Sequence, residues 1–133
     1  NVMELVNEDY NINENRIYLW GHSMGGSGTY HLAAKYPDIW AALGVAAPAP
    51  PSKDNSRLLN SFMHLPIIVL QGDQDPLVES TRIWVAAMRE LGMRHEYIEV
   101  AGGDHSLVIS QNRENMEHMF NFMVQFQKGV MPP

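Results

Sequence analysis

The segment GHSMG at positions 21–25 places a serine between two glycines, in the pattern G-x-S-x-G. An apolar run at 17–20, typical of a strand, precedes it, and a segment with helical spacing of apolar residues follows it. A serine at a sharp strand-to-helix turn has an exposed hydroxyl, and the next backbone N–H lies at the amino terminus of the helix. This pattern predicts Ser23 as a nucleophile and the N–H of Met24 as a donor to an oxyanion.

The glycines around Ser23 predict close backbone contacts. We expect a Cβ at Gly21 or Gly25 to collide with the neighbouring strand or helix, and the small residues at 26–28 to keep the helix close to the sheet. An ordinary glycine-rich turn with an incidental serine is an alternative interpretation. A phosphate-binding loop is another, because Gly21 and Gly26 have the separation of G-x-x-x-x-G-K-[ST]. Ser27 stands where that loop needs its lysine, which argues against it.

A serine hydroxyl becomes a good nucleophile only when a base removes its proton, and the base is normally a histidine oriented by a carboxylate. The chain has six histidines. His105 is the candidate, because it follows the last predicted strand in a glycine-rich loop and precedes a helix; the alternative is a surface loop histidine. His22 lies within the turn and is too constrained to reach back to Ser23. The others lie in predicted helices or at the start of strands: His31, His64, His95 and His118.

Asp75 is the candidate for the orienting carboxylate. Asp73 and Asp75 both follow the apolar run at 66–71, and Pro76 would stiffen the loop next to Asp75. Asp73 adjoins a glycine and is better interpreted as a turn former. Asp104 adjoins His105 in sequence, but adjacent side chains in an extended loop usually diverge, so it remains a weaker alternative.

The elements that must position these residues alternate between strand and helix patterns. Predicted strands are 17–20, the second half of 39–47, 66–71 and 95–100; predicted helices are 2–9, one from Ser23 to before Pro37, a short one at 57–63, 80–91 with Gly92 as its stop, and 111–127. This alternation predicts an α/β fold with a parallel sheet. Loops at the carboxyl ends of parallel strands share one edge of the sheet, where open α/β sheets place their sites.

Composition excludes several classes of function. The chain has 133 residues, enough for one domain, with 45% hydrophobic and 18% charged residues, a globular balance. Its formal charge of −6 argues against a nucleic-acid surface. The absence of cysteine excludes disulfides and thiolate metal sites, and no histidine spacing suggests another metal site. No apolar run approaches the length of about 18 residues needed to span a membrane.

Three segments in this order resemble the α/β-hydrolase superfamily, in its esterase, dienelactone hydrolase-like and prolyl-oligopeptidase-like branch: RIYLWGHSMGG at 16–26, PIIVLQGDQDPLV at 66–78 and GDH at 103–105. The resemblance implies a mostly parallel sheet with flanking helices. It also implies a serine hydrolase that cleaves carboxylic esters through an acyl-enzyme without a cofactor. A peptidase of the prolyl-oligopeptidase type and a non-catalytic fragment are the alternatives.

The family's acid loop commonly reads H-G-x-x-D-x-x-V, a pattern that fits Gly72, Asp75 and Val78 and supports Asp75 as the acid. This chain has Gln71 where that pattern has a histidine, and we expect this difference to affect none of the three triad residues.

Members of this family carry several strands before the G-x-S-x-G turn, and a loop, often H-G-x-G, that supplies a second oxyanion N–H. We therefore expect residues 1–133 to be the carboxyl-terminal part of a single catalytic domain. The strand at 16–20 would then be an edge that an upstream segment or another chain covers. Three aromatic residues could line a substrate pocket, although core packing is the favoured interpretation for each: Trp20, Tyr30 and Trp40.

Overall fold

The computed structural model describes residues 2–9, 11–49, 56–106 and 113–129. These residues form four strands, four α-helices and one 3₁₀ helix. In chain order they are α1 (Val2–Asp9), β1 (Tyr18–His22), α2 (Met24–Lys35), β2 (Ala42–Ala46), the 3₁₀ helix (Ser56–Ser61), β3 (Ile67–Gly72), α3 (Val78–Glu90), β4 (His95–Val100) and α4 (Arg113–Met123).

The four strands form one parallel sheet in the order β1-β2-β3-β4. The register pairs His22 with Ala46, Ala46 with Leu70, and Gly72 with Val100. The strands therefore end at the same edge of the sheet, and the loops that carry Ser23, Asp75 and His105 all leave from that edge. Among the described residues, β1 and β4 are the outer strands.

The two central strands are buried on both faces, which explains their uninterrupted apolar sequences. One face packs against α2, α3 and the 3₁₀ helix through side chains that include Val45, Val69 and Trp84. The other face packs against α4 through side chains that include Ile68, Leu70 and Met119. Because alternate residues of β2 and β3 face opposite layers, the sheet lies between two helical layers.

The predicted α/β fold with a parallel sheet is confirmed, with differences at the ends of elements. The strand expected at 17–20 continues to His22, because its pairing with β2 extends to Ala46. The short helix expected at 57–63 is a 3₁₀ helix at Ser56–Ser61. The last helix ends at Met123 rather than at 127, and positions 111 and 112 of that prediction lie outside the described residues.

Gly92 ends α3, as expected. It has a φ of 68°, and the next residue, Met93, donates its N–H to the carbonyl of Met88 at 3.0 Å. A glycine at this position avoids the cost of a Cβ in the left-handed region. In the part of the chain that the structure describes, none of the helices has both the length and the apolar character required to cross a bilayer.

The three aromatic residues differ in their surroundings. Tyr30 and Trp40 are buried in the core, which confirms the favoured interpretation for both. Trp20 is 42% exposed and packs edge-on against Phe120 of α4, so core burial is wrong for this residue. Trp40 also borders a cleft of about 480 Å³. That cleft includes Pro66, which precedes β3, so it lies at the edge of the sheet opposite Ser23.

Candidate active site

Ser23 lies in a strained turn between β1 and α2. Its φ and ψ are 59° and −117°, a conformation that side-chain-bearing residues rarely adopt. Hydrogen bonds to the chain around the end of β2 hold this conformation: Ser23 N–H donates to the carbonyl of Ala46 at 3.0 Å, and Ala49 N–H donates to the carbonyl of Ser23 at 3.1 Å. The strained serine is therefore fixed on both sides by backbone contacts.

Close packing explains two of the glycines near Ser23. A Cβ at Gly21 would lie 2.1 Å from the carbonyl oxygen of Gly25, and a Cβ at Gly26 would lie 2.8 Å from the Cβ of Pro48. The expectation for Gly21 and Gly26 is confirmed. The expectation for Gly25 is wrong, because a Cβ there would have no neighbour within 4 Å, and the same holds for Gly28 in α2.

Asp75 is held in the turn after β3. Its Oδ1 accepts a hydrogen bond from Leu77 N–H at 2.9 Å, and its carbonyl accepts one from Val78 N–H at 3.0 Å. The residue is only 2% exposed. Its carboxylate is thus oriented by the first turn of α3 and shielded from water.

The loop that carries His105 packs directly on the loop that carries Asp75. A Cβ at Gly72 would lie 2.2 Å from the carbonyl oxygen of Gly103, so the two backbones meet where neither residue has a side chain. Asp73 joins the same loops, because its Oδ1 accepts a hydrogen bond from Gly102 N–H at 2.8 Å. Asp73 lies in the turn after β3, as expected, and its side chain links the two loops.

The structure brings Ser23, His105 and Asp75 together. His105 Nε2 lies 2.7 Å from Ser23 Oγ, and His105 Nδ1 lies 2.7 Å from Asp75 Oδ2. An ionised carboxylate can only accept, so Nδ1 carries the proton and donates it to Asp75. Nε2 of a neutral ring then has a free lone pair and accepts the hydroxyl proton of Ser23. This arrangement can remove a proton from the serine.

The charge on Asp75 depends on opposing effects. Burial alone would raise the pKa of this carboxyl group and is the largest single effect, but the hydrogen bonds from Leu77 N–H and from His105, together with the Gln71 side chain and the charge of His105, lower the pKa by more in sum. The net result is an Asp75 pKa below its ordinary value. The group is therefore ionised at neutral pH and can stabilise a positive charge on His105.

Among the described residues, the side chains of the other histidines form no hydrogen bond with Ser23 Oγ. His64 donates to the carbonyl of Pro37, and His95 donates to the carbonyl of Met93. His118 pairs with Glu96 at 2.6 Å on the surface, and His31 is exposed on α2. Asp104 accepts a hydrogen bond from Ser106 N–H at 2.9 Å within its own loop.

Two residues near the site have contacts that the sequence did not predict. His22 Nε2 donates a hydrogen bond to the backbone carbonyl of His105 at 2.8 Å, and the two rings are 5.1 Å apart. Gln71 is fully buried and donates to the backbone carbonyl of Gly72 at 3.1 Å, and its side chain lowers the pKa of Asp75. The sequence feature that could have indicated the contacts of Gln71 is a polar residue at the end of an apolar strand, because a buried glutamine needs hydrogen-bond partners.

Met24 begins α2 directly after Ser23, and its side chain is 82% exposed. The N–H groups in the first turn of a helix have no partner within that helix, and the helix dipole adds partial positive charge there. The Met24 N–H can therefore donate to an anionic oxygen next to Ser23 Oγ.

Comparison with known proteins gives one family. A family model described as "Alpha/beta hydrolase domain" matches residues 1–128. Cutinase 2 of Thermobifida cellulosilytica is 30% identical over 97 residues, which make up 71% of this chain and 34% of the cutinase. The chain spans about a third or less of the length of the curated relatives it matches.

Solved structures share the fold. A thermostable esterase superimposes with a TM-score of 0.75 at 27% identity, over 96% of this chain and 35% of the esterase. Fluorophosphonate-binding serine hydrolase F of Staphylococcus aureus superimposes with the same TM-score of 0.75 at 15% identity, over 92% of this chain and 60% of that protein. The second likeness is one of fold alone.

Proposed function

This chain belongs to the alpha/beta hydrolase family, and on that premise we propose that it is a serine hydrolase that cleaves carboxylic esters through an acyl-enzyme. The observation that carries the proposal is the pair of 2.7 Å contacts that link Ser23 Oγ to His105 and His105 to Asp75. Nucleophile, base and orienting acid come from three separate loops and meet at one edge of the sheet. The cutinase and esterase relatives favour an ester over other acyl substrates.

In the first half of the reaction, Ser23 Oγ attacks the ester carbonyl carbon while its proton moves to His105 Nε2. The carbonyl oxygen becomes an oxyanion, to which Met24 N–H donates a hydrogen bond. The C–O bond to the alcohol then breaks, and His105 returns the proton to the departing alcohol oxygen. The acyl group remains on Ser23 as an ester.

In the second half, His105 Nε2 takes a proton from water, whose oxygen attacks the acyl carbon. Collapse of this second tetrahedral intermediate breaks the bond to Ser23 Oγ, which regains its proton from His105 and releases the acid. Asp75 stays ionised throughout and stabilises the imidazolium at each step.

We further propose that residues 1–133 are the carboxyl-terminal part of a single catalytic domain, and that an upstream segment or another chain pairs with β1. Two observations support this. In the described sheet β1 pairs on one side only, which leaves a row of backbone groups available to a further strand. The chain also corresponds to 34% of the cutinase and 35% of the esterase. A second oxyanion N–H would come from that missing part.

The test of the reaction is hydrolysis of a short-chain p-nitrophenyl ester by the parent protein and by Ser23→Ala. We expect kcat/KM to fall by at least about 10³-fold in the variant. Ser27→Ala is the matched control, since Ser27 lies one turn further along α2 and contributes a backbone contact only, and it should hydrolyse the ester as the parent does. Equal rates for Ser23→Ala and the parent would exclude the mechanism.

A further inference from the structure

We propose that Gln71 is a positioning residue for Asp75, and that a hydrogen bond from Thr81 holds the Gln71 amide in place. The inference rests on the proposed function, because it assigns a role in the same site. It arises from a polar pair where the surrounding structure is apolar: Gln71 is 0% exposed at the end of β3, and Thr81 is 1% exposed in α3. Buried polar groups are costly unless they are hydrogen bonded, so the pair requires an explanation.

The direction of the Gln71 amide follows from its neighbours. Gln71 Nε2 lies 3.1 Å from the carbonyl oxygen of Gly72, which can only accept, so the nitrogen and not the oxygen must face it. Oε1 therefore faces α3, where the hydroxyl of Thr81 donates to it at 2.7 Å. The Gly72 carbonyl thus excludes the flipped amide, in which two oxygens would meet, and the Thr81 hydroxyl holds the amide oxygen on the side of α3.

The amide is connected to Asp75 in two ways. The carbonyl of Gly72 that accepts from Gln71 also accepts from Asp75 N–H at 3.4 Å, so one oxygen joins the glutamine to the backbone of the acid. The Gln71 side chain also lowers the pKa of the Asp75 carboxyl group.

These contacts give the amide a chemical effect besides its packing. The Gln71 amide favours the charged form of Asp75, which must be ionised to hold the Nδ1 proton of His105. The carboxylate itself is held between the Leu77 N–H on one oxygen and His105 on the other. An amide has no ionisable proton in the relevant pH range, so this support is present wherever the enzyme is folded.

A purely structural bond between β3 and α3 is the competing explanation, and it predicts a different set of changes. Loss of a structural bond would lower the melting temperature and leave the chemistry of correctly folded molecules unchanged. A positioning role predicts a lower kcat with little change in KM, and a higher Asp75 pKa. The experiment therefore measures stability, turnover and the ionisation of Asp75 in the same variants.

The variants are Gln71→Met, which keeps the size of the side chain and removes the amide, and Thr81→Val, which keeps the shape and removes the hydroxyl. Gln74→Met is the matched control, because Gln74 is an exposed glutamine in the same turn and bonds to Asp73 instead. Thr81→Ser restores the hydroxyl and should restore the parent behaviour. For Gln71→Met we expect kcat on a short-chain p-nitrophenyl ester to fall by up to about 100-fold, with KM within about twofold of the parent.

The pKa of Asp75, followed by carboxyl ¹³C NMR, should rise in Gln71→Met, rise less in Thr81→Val and stay unchanged in Gln74→Met. This measurement does not require activity, so it separates the inference from the proposed function. An inactive parent with these pKa changes would overturn the proposed function alone. Parent-like kcat and an unchanged Asp75 pKa in Gln71→Met would overturn the inference. If Gln71→Met does not fold, kcat and the Asp75 pKa are compared between Thr81→Val and Thr81→Ser instead. Equal values for these two variants would then overturn the inference.

Discussion

Substitution of Gly72 by alanine tests whether the contact between two loops sets the catalytic geometry. A Cβ at Gly72 would lie 2.2 Å from the carbonyl oxygen of Gly103, whereas ordinary van der Waals contact begins at 3.4 Å, so the loops must separate by about 1.2 Å. Both partners are backbone, so no side chain can rotate away. Asp75 lies on one of these loops and His105 on the other.

The size of the effect follows from that separation. The contact between His105 Nδ1 and Asp75 Oδ2 is 2.7 Å, and an increase of about 1.2 Å takes it beyond the range of a hydrogen bond. Misplacement of a catalytic group by about 1 Å costs on the order of 100-fold. We therefore expect Gly72→Ala to lose about 100-fold in kcat/KM, equivalent to about 2.7 kcal/mol of transition-state stabilisation.

The assay is hydrolysis of a short-chain p-nitrophenyl ester, with the melting temperature measured in parallel to identify loss of fold. Gly28→Ala is the control, since a Cβ there has no neighbour within 4 Å. Its activity should equal that of the parent, and its stability should rise by up to about 1 kcal/mol, the difference in helix propensity between glycine and alanine. A folded Gly72→Ala variant with parent activity would show that this contact does not position the site.

Two further predictions concern polar contacts around the site and the sheet. His22→Phe keeps a ring but loses the donor to the His105 carbonyl, so kcat should fall about fivefold, as expected for about 1 kcal/mol; His22→Gln should recover part of the loss, and equal kcat for His22→Phe and the parent would contradict the role. Arg82 donates to Glu99 at 2.7 and 2.9 Å and is the main cause that lowers the Glu99 pKa from 4.5 to about 2. A lowered carboxyl pKa stabilises the fold above the unfolded value, and this contribution is lost as the pH falls through the folded value. The melting temperatures of Arg82→Met and the parent should therefore differ at neutral pH and converge near pH 2, whereas a constant difference would contradict the assignment.

The fold was predictable because the strongest signals in the chain are local. The apolar runs that form β2 and β3 are buried on both faces. When such strands alternate with helices along the chain, few folds other than a parallel α/β sheet can bury them. The position of His105 beside Ser23 followed from topology, since loops after parallel strands meet at one edge. The end of β1 at His22 was not predictable, because it depends on how far β2 extends on the other side of the ladder.

Contacts between distant segments account for most of what the sequence did not predict. The roles of Gly21 and Gly25 could not be separated in advance, because both flank the same turn and only the approach of the Gly25 carbonyl to Gly21 distinguishes them. The contact of His22 with the His105 carbonyl spans 83 positions, and the bond between Gln71 and Thr81 joins a strand to a helix. Such contacts depend on the packing of the finished fold.

Covalent labelling of Ser23 is the most direct measurement of whether its hydroxyl is activated. The protein is treated with a fluorophosphonate, digested and mapped by mass spectrometry, with His105→Ala treated in the same way. The expected result is a phosphonylated peptide that contains Ser23 in the parent, and labelling slower by at least about 10³-fold in His105→Ala. Labelling of the two proteins at equal rates, or an unmodified Ser23 in folded parent protein, would mean that the 2.7 Å contact between Ser23 and His105 does not make this serine a nucleophile.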